Sequence, residues 1–364
     1  MLMAESSVYI HIPFCKSICT YCDFCKVLYK KEWAIEYLKM LKKEIEDRYM
    51  GEKIKTIYIG GGTPSALSLK EIEFLLLLTD KFDKSILKEF TFECNIEDIN
   101  EELLLLLKKY SVNRLSIGIE SFDEENLLLM KRKANYKDVK AKVELIRRFG
   151  FNNLNLDLIY ALPKEKLSVL KNDIKLLLSL NPEHISTYSL IIEDNTFLHY
   201  QKTSNIEEEL DLEMYEHICS KLSKNGYNHY EVSNFAKEGY ESIHNLVYWN
   251  NEEYYGFGCG ASGYVSGVRY DNTRSLSEYL KGNFDSSKNL ISNESKMEYE
   301  VILGLRKTKG INVKDFYNKY NVNIQDVFPI KPLLKSKELI YKDGYLFINP
   351  KYLYVMNEIL VKLV

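Results

Sequence analysis

Four cysteines stand within eleven residues in the run CKSICTYCDFC: Cys15, Cys19, Cys22 and Cys25. The other three of the chain's seven are Cys94, Cys219 and Cys259. The first three follow a Cys-x3-Cys-x2-Cys spacing on a loop that leaves a predicted strand. Three thiolates can hold three irons of a [4Fe–4S] cube and leave the fourth iron open. An open iron can chelate the amino and carboxylate groups of S-adenosylmethionine (SAM). One electron from the cluster then cleaves the sulfonium to a 5′-deoxyadenosyl radical, chemistry that the protein positions and the cofactor performs. The competing reading is structural zinc with Cys25 as fourth ligand. Zinc ligands come mostly as short-spaced couples from separate turns, so four thiols on one loop close a tetrahedron awkwardly.

Other candidates lie downstream. The run GGGTPS (60–65) follows a predicted strand, and glycine lets backbone approach a ligand closely. It also reads as a tight strand-to-helix turn. It is not a phosphate-binding loop, because no Gly-Lys-Ser/Thr follows. Glu93 and Glu120 close predicted strands, where a surface carboxylate is the plain alternative. Asp157 lies inside the apolar run LNLDLIYAL, and a buried carboxylate is costly without a partner, which favours a ligand role. His244 is one of six histidines; taken alone, it reads equally as a hydrogen-bonded structural residue.

Positioning such a set needs a repetitive frame, and the first half of the chain supplies one. SVYIHIPF, KTIYIGG, EFTFECN, NRLSIGIES, NLNLDLIYAL and HISTYSLII read as strands, separated by amphipathic helical segments. The helix after GGGTPS opens on Ser68 with Glu71 three residues on, a capping box. Six βα units in a row predict a parallel sheet with right-handed crossovers. Cys15, Gly61, Glu93, Glu120 and Asp157 fall at or near the C-terminal ends of successive strands. That pattern fits the mouth of a (β/α) barrel better than the single switch point of an open sheet. The expected fold is therefore α/β, a partial (β/α)6 barrel over residues 1–200. An aromatic, Asn- and Gly-rich extension, read as extended segments and loops, covers 201–285. A polar link, GNFDSSKNLISNES, leads into a small α+β, winged-helix-like domain over 286–364. That domain includes a hairpin turning at Asp343-Gly344.

Composition removes several function classes. The 364 residues carry a net charge of −3 with a pI near 6.2, which gives no basic surface for nucleic acid. The apolar runs FLLLL (74–78) and LLLLL (103–107) are too short to span a bilayer. The N-terminus lacks the pattern of a signal peptide. A soluble, cytoplasmic protein is expected, in which cysteines serve metal or reactive chemistry rather than disulfides.

CKSICTYC after a strand, with Tyr21 before the third cysteine, resembles the radical SAM signature. The ordered set YIHIPFCKSICTYCDF, GGGTPS, NRLSIGIESF, LDLIYALP, HISTYSL and HNLVYWNNEEYYGFG is similar to the coproporphyrinogen-oxidase-like branch, and within it to the HemW-type heme chaperones. EVILGLRKTKGI resembles that branch's C-terminal domain. The resemblance implies that Cys15, Cys19 and Cys22 ligate a [4Fe–4S] cluster and that Cys25 does not. It implies SAM contacts for Tyr9, Tyr21, Gly61, Gly62, Thr63, Glu93, Glu120, Arg132 and Asp157. It further implies heme ligation by His244, with Tyr248 and Trp249 against the porphyrin. The implied partners are heme or porphyrin and a heme-accepting apoprotein, with at most transient membrane contact, and the chain a monomer or homodimer.

Three departures from the family pattern stand out. Ile96 replaces a proline after Glu93. Glu120 replaces a glutamine, and a carboxylate cannot donate to ribose hydroxyls. Ser262 replaces a histidine in CGASGY, which weakens any bis-histidine ligation. The implied function is heme trafficking. The alternative is an oxygen-independent coproporphyrinogen III oxidase; those enzymes carry a long extension before the first cysteine, which here is residue 15. The resemblance does not decide whether this chain is an enzyme.

Overall fold

A computed structural model describes residues 5–364. Its centre is a nine-stranded sheet. Six strands run parallel in chain order: β1 (Glu5–Ile12), β2 (Lys53–Gly61), β3 (Glu89–Asn95), β4 (Arg114–Glu120), β5 (Leu154–Tyr160) and β6 (His184–Ser189). At the β6 edge an antiparallel pair is added, β8 (Asn234–Ala236) and then β7 (Asn228–Glu231). At the other edge β9 (Tyr255–Phe257) pairs parallel to β1. The expected partial (β/α)6 barrel is present, extended on both edges by the aromatic region.

Along most of each strand apolar and polar positions alternate, as a pleated backbone favours. Val8, Ile10 and Ile12 of β1, Ile57 and Ile59 of β2, and Phe90 and Phe92 of β3 are fully buried in the main hydrophobic core. Leu38 and Leu41 of α1 (Lys31–Arg48), Ile72 and Leu75 of α2 (Leu69–Leu78), and Leu104 and Leu107 of α3 (Glu101–Lys109) belong to the same core. The intervening positions are polar or aromatic: Tyr9 and His11, Thr56 and Tyr58, Glu89, Thr91 and Glu93, Asn155 and Asp157, His184 and Ser186. Apolar burial thus holds helices to the outside of the sheet, and the other face is left lined with hydrogen-bonding groups.

Local signals hold the elements. Ser68 accepts from Glu71 N while Glu71 accepts back from Ser68 N at 2.7 Å, the expected capping box. Three more helices follow on this outer layer: α4 (Glu124–Met130), α5 (Tyr136–Arg148) and α6 (Leu167–Ser179). Further on lies α7 (Glu208–Ser223).

Two expectations are corrected in the aromatic region. HNLVYW is neither extended nor loop; it forms α8 (Ile243–Trp249), started by Ser242, whose side chain accepts from Asn245 N. The polar link is not all connection, since Asp285–Leu290 is β12, paired with β11 (Val268–Asn272), itself paired with β10 (Ser262–Val265). Every residue of β12 except Ser287 is exposed, so no apolar alternation marks it.

Residues beyond the link build a second core that includes Leu305, Phe316, Leu333, Leu339 and Ile348. It is made from α9 (Asn293–Gly304), α10 (Val313–Tyr320), α11 (Ile330–Lys335) and a small antiparallel sheet, β13 (Ile311–Asn312), β14 (Leu339–Lys342) and β15 (Tyr345–Ile348). Asp343 and Gly344 turn the β14–β15 hairpin, both with positive φ (52° and 81°), the geometry a two-residue turn of this kind demands. Among the described residues, no helix is long and apolar enough to cross a membrane.

Candidate functional site

The cysteine loop is closed at its base. Phe14–Cys15 pairs in parallel with Val27–Leu28, and Tyr29 N donates to Cys15 O at 2.9 Å. Cys15 is 6% exposed, and Thr63 Oγ1 donates to its sulfur at 3.6 Å. A Cβ on Gly62 would lie 2.9 Å from that sulfur and 3.0–3.1 Å from the backbone of Pro13 and Ile12. The GGGT turn and the first thiol are therefore packed against each other, with room only for glycine.

Burial pushes the Cys15 thiol up to about 11, opposed by the Thr63 hydroxyl and reinforced by Cys22 and Cys19. Cys19 and Cys22 are half-buried and also raised by burial; Arg132 opposes this at Cys19, and Lys26 at Cys22. The three thiols therefore feel one another and two nearby cations.

Cys25 faces elsewhere. Its sulfur lies 3.7 Å from Cys259 Sγ and donates to Arg274 O at 3.4 Å. Its acidity is set by the bond from Cys259, then burial, Arg274 and Lys26, with none of the other three loop thiols among the influences. A four-cysteine zinc site would need Cys25 turned back toward the loop. Three thiols that influence one another and are flanked by cations fit an anionic iron–sulfur cube, in which thiolates carry the negative charge.

Carboxylates ring the strand ends beside this loop. Glu93 accepts from Tyr58 OH at 2.6 Å and from Gly61 N at 3.0 Å, and burial lifts it to about 7. Glu120, at positive φ (70°) where β4 slips register against β5, is likewise lifted by burial to about 7, against the pull of Arg132. Arg132 itself is held by Gly118 O at 2.5 Å and Asn95 Oδ1 at 2.7 Å. Tyr21 is half-buried and its hydroxyl is influenced by Glu120 and Cys19. Asp157 accepts from Asn155 Nδ2 at 2.8 Å and is raised by burial. The arrangement offers carboxylates to a cationic group, a guanidinium to an anionic one, and exposed backbone on a glycine turn, all beside three thiols. Such a set suits a zwitterionic ligand.

Tyr9 lies deeper. Its hydroxyl meets His11 Nδ1 at 2.9 Å, and His11 Nε2 meets Cys25 O at 2.8 Å. Burial lowers His11 to about 4, so the ring is neutral.

His244 lies toward the N-terminal ends of the strands, away from the cysteines. Glu89 accepts from Ile243 N at 2.8 Å and His244 N at 3.2 Å, anchoring the start of α8 to the base of β3. The imidazole is 1% exposed. Nδ1 meets Thr56 Oγ1 at 2.7 Å, Nε2 meets Tyr248 OH at 2.8 Å, and the ring stacks on Tyr58 with centroids 5.1 Å apart. Burial lowers it to about 3. The structure thus gathers Cys15, Cys19, Cys22, Tyr21, Gly61, Gly62, Thr63, Glu93, Glu120, Arg132 and Asp157 at the barrel mouth, and places Tyr9 and His244 below them. Ser262 lies on the β10–β11 hairpin, bonded to Asp271 at 2.6 Å.

Sequence reasoning missed Tyr58, Asn95 and Glu89, which orient Glu93, Arg132 and α8. The polar positions alternating along β2 and β3 carried that signal.

Comparison with known proteins places these features in a family. Residues 9–177 match the radical SAM superfamily, and residues 291–355 match the HemN C-terminal domain. The chain is 42% identical over 355 residues to heme chaperone HemW of Lactococcus lactis subsp. lactis, covering 94% of this chain and 93% of that one. It is 41% identical over 350 residues to heme chaperone HemW of Bacillus subtilis, covering 92% of each. The corresponding Escherichia coli protein is 33% identical over 304 residues, covering 80% of each. The fold is shared with coproporphyrinogen III oxidase (HemN) of E. coli, at a TM-score of 0.87 and 22% identity, covering 99% of this chain and 90% of that one.

Proposed function

We propose, on the premise that the chain belongs to the HemW heme-chaperone family of the radical SAM superfamily, that it binds heme and passes it to apoproteins. The observation that carries the reading is 42% identity to a heme chaperone across nearly the whole of both chains. In this reading residues 1–200 are the radical SAM unit, 201–285 complete the site, and 286–364 form the separate C-terminal unit. The setting is the cytoplasm, and the partner is a heme-requiring apoprotein.

Cys15, Cys19 and Cys22 would hold a [4Fe–4S] cluster; once loaded with SAM, it supplies one-electron reduction at the sulfonium. The chain's own part is placement. Gly61 and Glu93 would hold the ammonium end of SAM, a cation that favours the ionised form of Glu93. Arg132, already fixed by Gly118 and Asn95, faces the carboxylate. Glu120 and Asp157 would accept from hydroxyl groups, Tyr21 would line the pocket, and Tyr9 would lie at its floor.

Heme is cargo. His244 is neutral, the form that binds iron, but both its nitrogens are engaged. Ligation by Nε2 therefore requires the Tyr248 hydroxyl to release it.

The test uses cluster-loaded protein under anaerobic conditions. Titration with heme should give a saturable Soret shift at one heme per chain, and the heme should move to a heme-free acceptor protein on mixing. His244→Ala should weaken heme binding at least tenfold while leaving cluster iron unchanged. Conversion of coproporphyrinogen III to protoporphyrinogen IX in the presence of SAM and a reductant would replace this reading with the oxidase.

A further inference from the structure

Cys25 and Cys259 are 234 residues apart in sequence, yet their sulfurs lie 3.7 Å apart. The contact is built from both sides. Cys259 is fully buried on a turn between Gly258 and Gly260, both with positive φ (102° and 81°). A Cβ on Gly260 would fall 2.4 Å from Cys25 Cβ, and one on Gly258 would fall 2.4 Å from His11 O, so Gly260 lets the cysteine loop seat and Gly258 lets the turn lie against β1. Tyr37 ties that turn to β1, donating to His11 O at 2.6 Å and accepting from Cys259 N at 2.9 Å. The Cys25 thiol also reaches Arg274 O, and Cys259 reaches Thr273 O at 3.1 Å. Cys25 is partly exposed, so a reagent can reach it; Cys259 is reached through Cys25. Neither is part of the three-thiol site.

We propose that Cys25 and Cys259 are a reversible dithiol–disulfide pair, oxidised by a small-molecule disulfide, that ties the end of the cluster-ligand loop to the turn after β9. The Cys25 thiolate attacks one sulfur of the reagent, forming a mixed disulfide and releasing one reagent thiol. The Cys259 sulfur then attacks Cys25 sulfur, forming the internal bond and releasing the second reagent thiol. Two electrons pass from the protein to the reagent, and the two thiol protons leave with its two sulfurs. Because Cys25 O holds His11 and His11 holds Tyr9, the bond fixes the loop at the point where it meets the barrel lining. The loop therefore keeps its shape when the cluster is absent, and Cys25 is withdrawn from scrambling with Cys22.

The test exposes cluster-loaded protein to oxidised glutathione anaerobically, quenches in acid, alkylates free thiols and maps peptides by mass spectrometry. The expected product is a peptide pair joined through Cys25 and Cys259, lost on reduction with dithiothreitol, with cluster iron unchanged. In Cys259→Ser the same treatment should instead leave glutathione on Cys25. Wild-type protein that accumulates the glutathione adduct on Cys25 without the internal link overturns the proposal. So does a link from Cys25 to Cys22. Neither outcome bears on heme binding, which is read separately by the Soret titration.

Discussion

Each cysteine of the loop has a distinct local environment, and that decides its part. Cys15, Cys19 and Cys22 each replaced by serine should abolish cluster assembly, read as iron and sulfide content after reconstitution. Cys25→Ser should retain full iron, because its sulfur points to Cys259. A second prediction concerns Glu231, which is fully buried and whose carboxylate accepts from Asn234 Nδ2 and Ser233 N. Burial lifts it to about 7, above its unfolded value of about 4.3. Between those two values the folded chain holds a proton that the unfolded chain has lost. Stability from this group is therefore greatest at low pH, falls as pH rises across the window, and is lowest above 7. Glu231→Gln removes the ionisation. Its stability relative to wild type should improve from pH 5 to pH 8 by on the order of 2–3 kcal/mol, measured by urea unfolding of the metal-free protein. A difference that does not change with pH would mean the carboxyl is ionised throughout.

At the scale of elements, the mouth is a contact between two loops, the GGGT turn and the cysteine loop. Gly62→Ala puts a methyl 2.9 Å from Cys15 Sγ and against the backbone of Pro13 and Ile12. Backbone on two sides cannot yield, so the sulfur must. Cluster iron should drop severalfold while the far-ultraviolet circular dichroism is unchanged. Full loading would show that the two loops shift together. The six parallel strands and their helices were legible within a few residues because β-branched and aromatic residues alternate with polar ones along the strands, and the helices between them are amphipathic. The capping box was legible for the same local reason. Elements whose stability comes from distant partners were not legible. β12 is polar and exposed, stabilised by backbone pairing to β11. The helix in HNLVYW starts where Glu89, over 150 residues earlier, accepts its amides. The cysteine loop could be read from spacing, but the direction of Cys25 depends on a turn that only the tertiary fold brings near. The burial of His244 likewise follows from its position under the barrel, not from its motif.

Across the whole molecule, the barrel's main hydrophobic core and the C-terminal core are joined along a seam. Val232 N donates to Arg306 O and Thr308 N to Tyr230 O, both at 3.1 Å. Lys307 Nζ reaches Asn250 Oδ1 at 2.6 Å, and Arg306 lies over the Trp249 ring at 5.8 Å. The C-terminal unit therefore touches the end of α8, the helix that carries His244. Its own core meets the barrel's only at side chains such as Tyr215, which packs against both, so it has the means to loosen without unfolding the sheet. Leu333 is 5% exposed within that second core, and truncating such a leucine costs about 2–5 kcal/mol. Leu333→Ala should raise amide hydrogen exchange across residues 293–364 and in α8, while peptides from β1 to β6 exchange as in wild type and cluster iron is unchanged. That result would make α8 the element through which the C-terminal unit reaches the buried imidazole, and looser packing there would also ease the Tyr248 release that heme ligation requires. If the barrel strands exchange faster in step with the C-terminal peptides, the two cores unfold as one unit, and the seam transmits stability rather than motion.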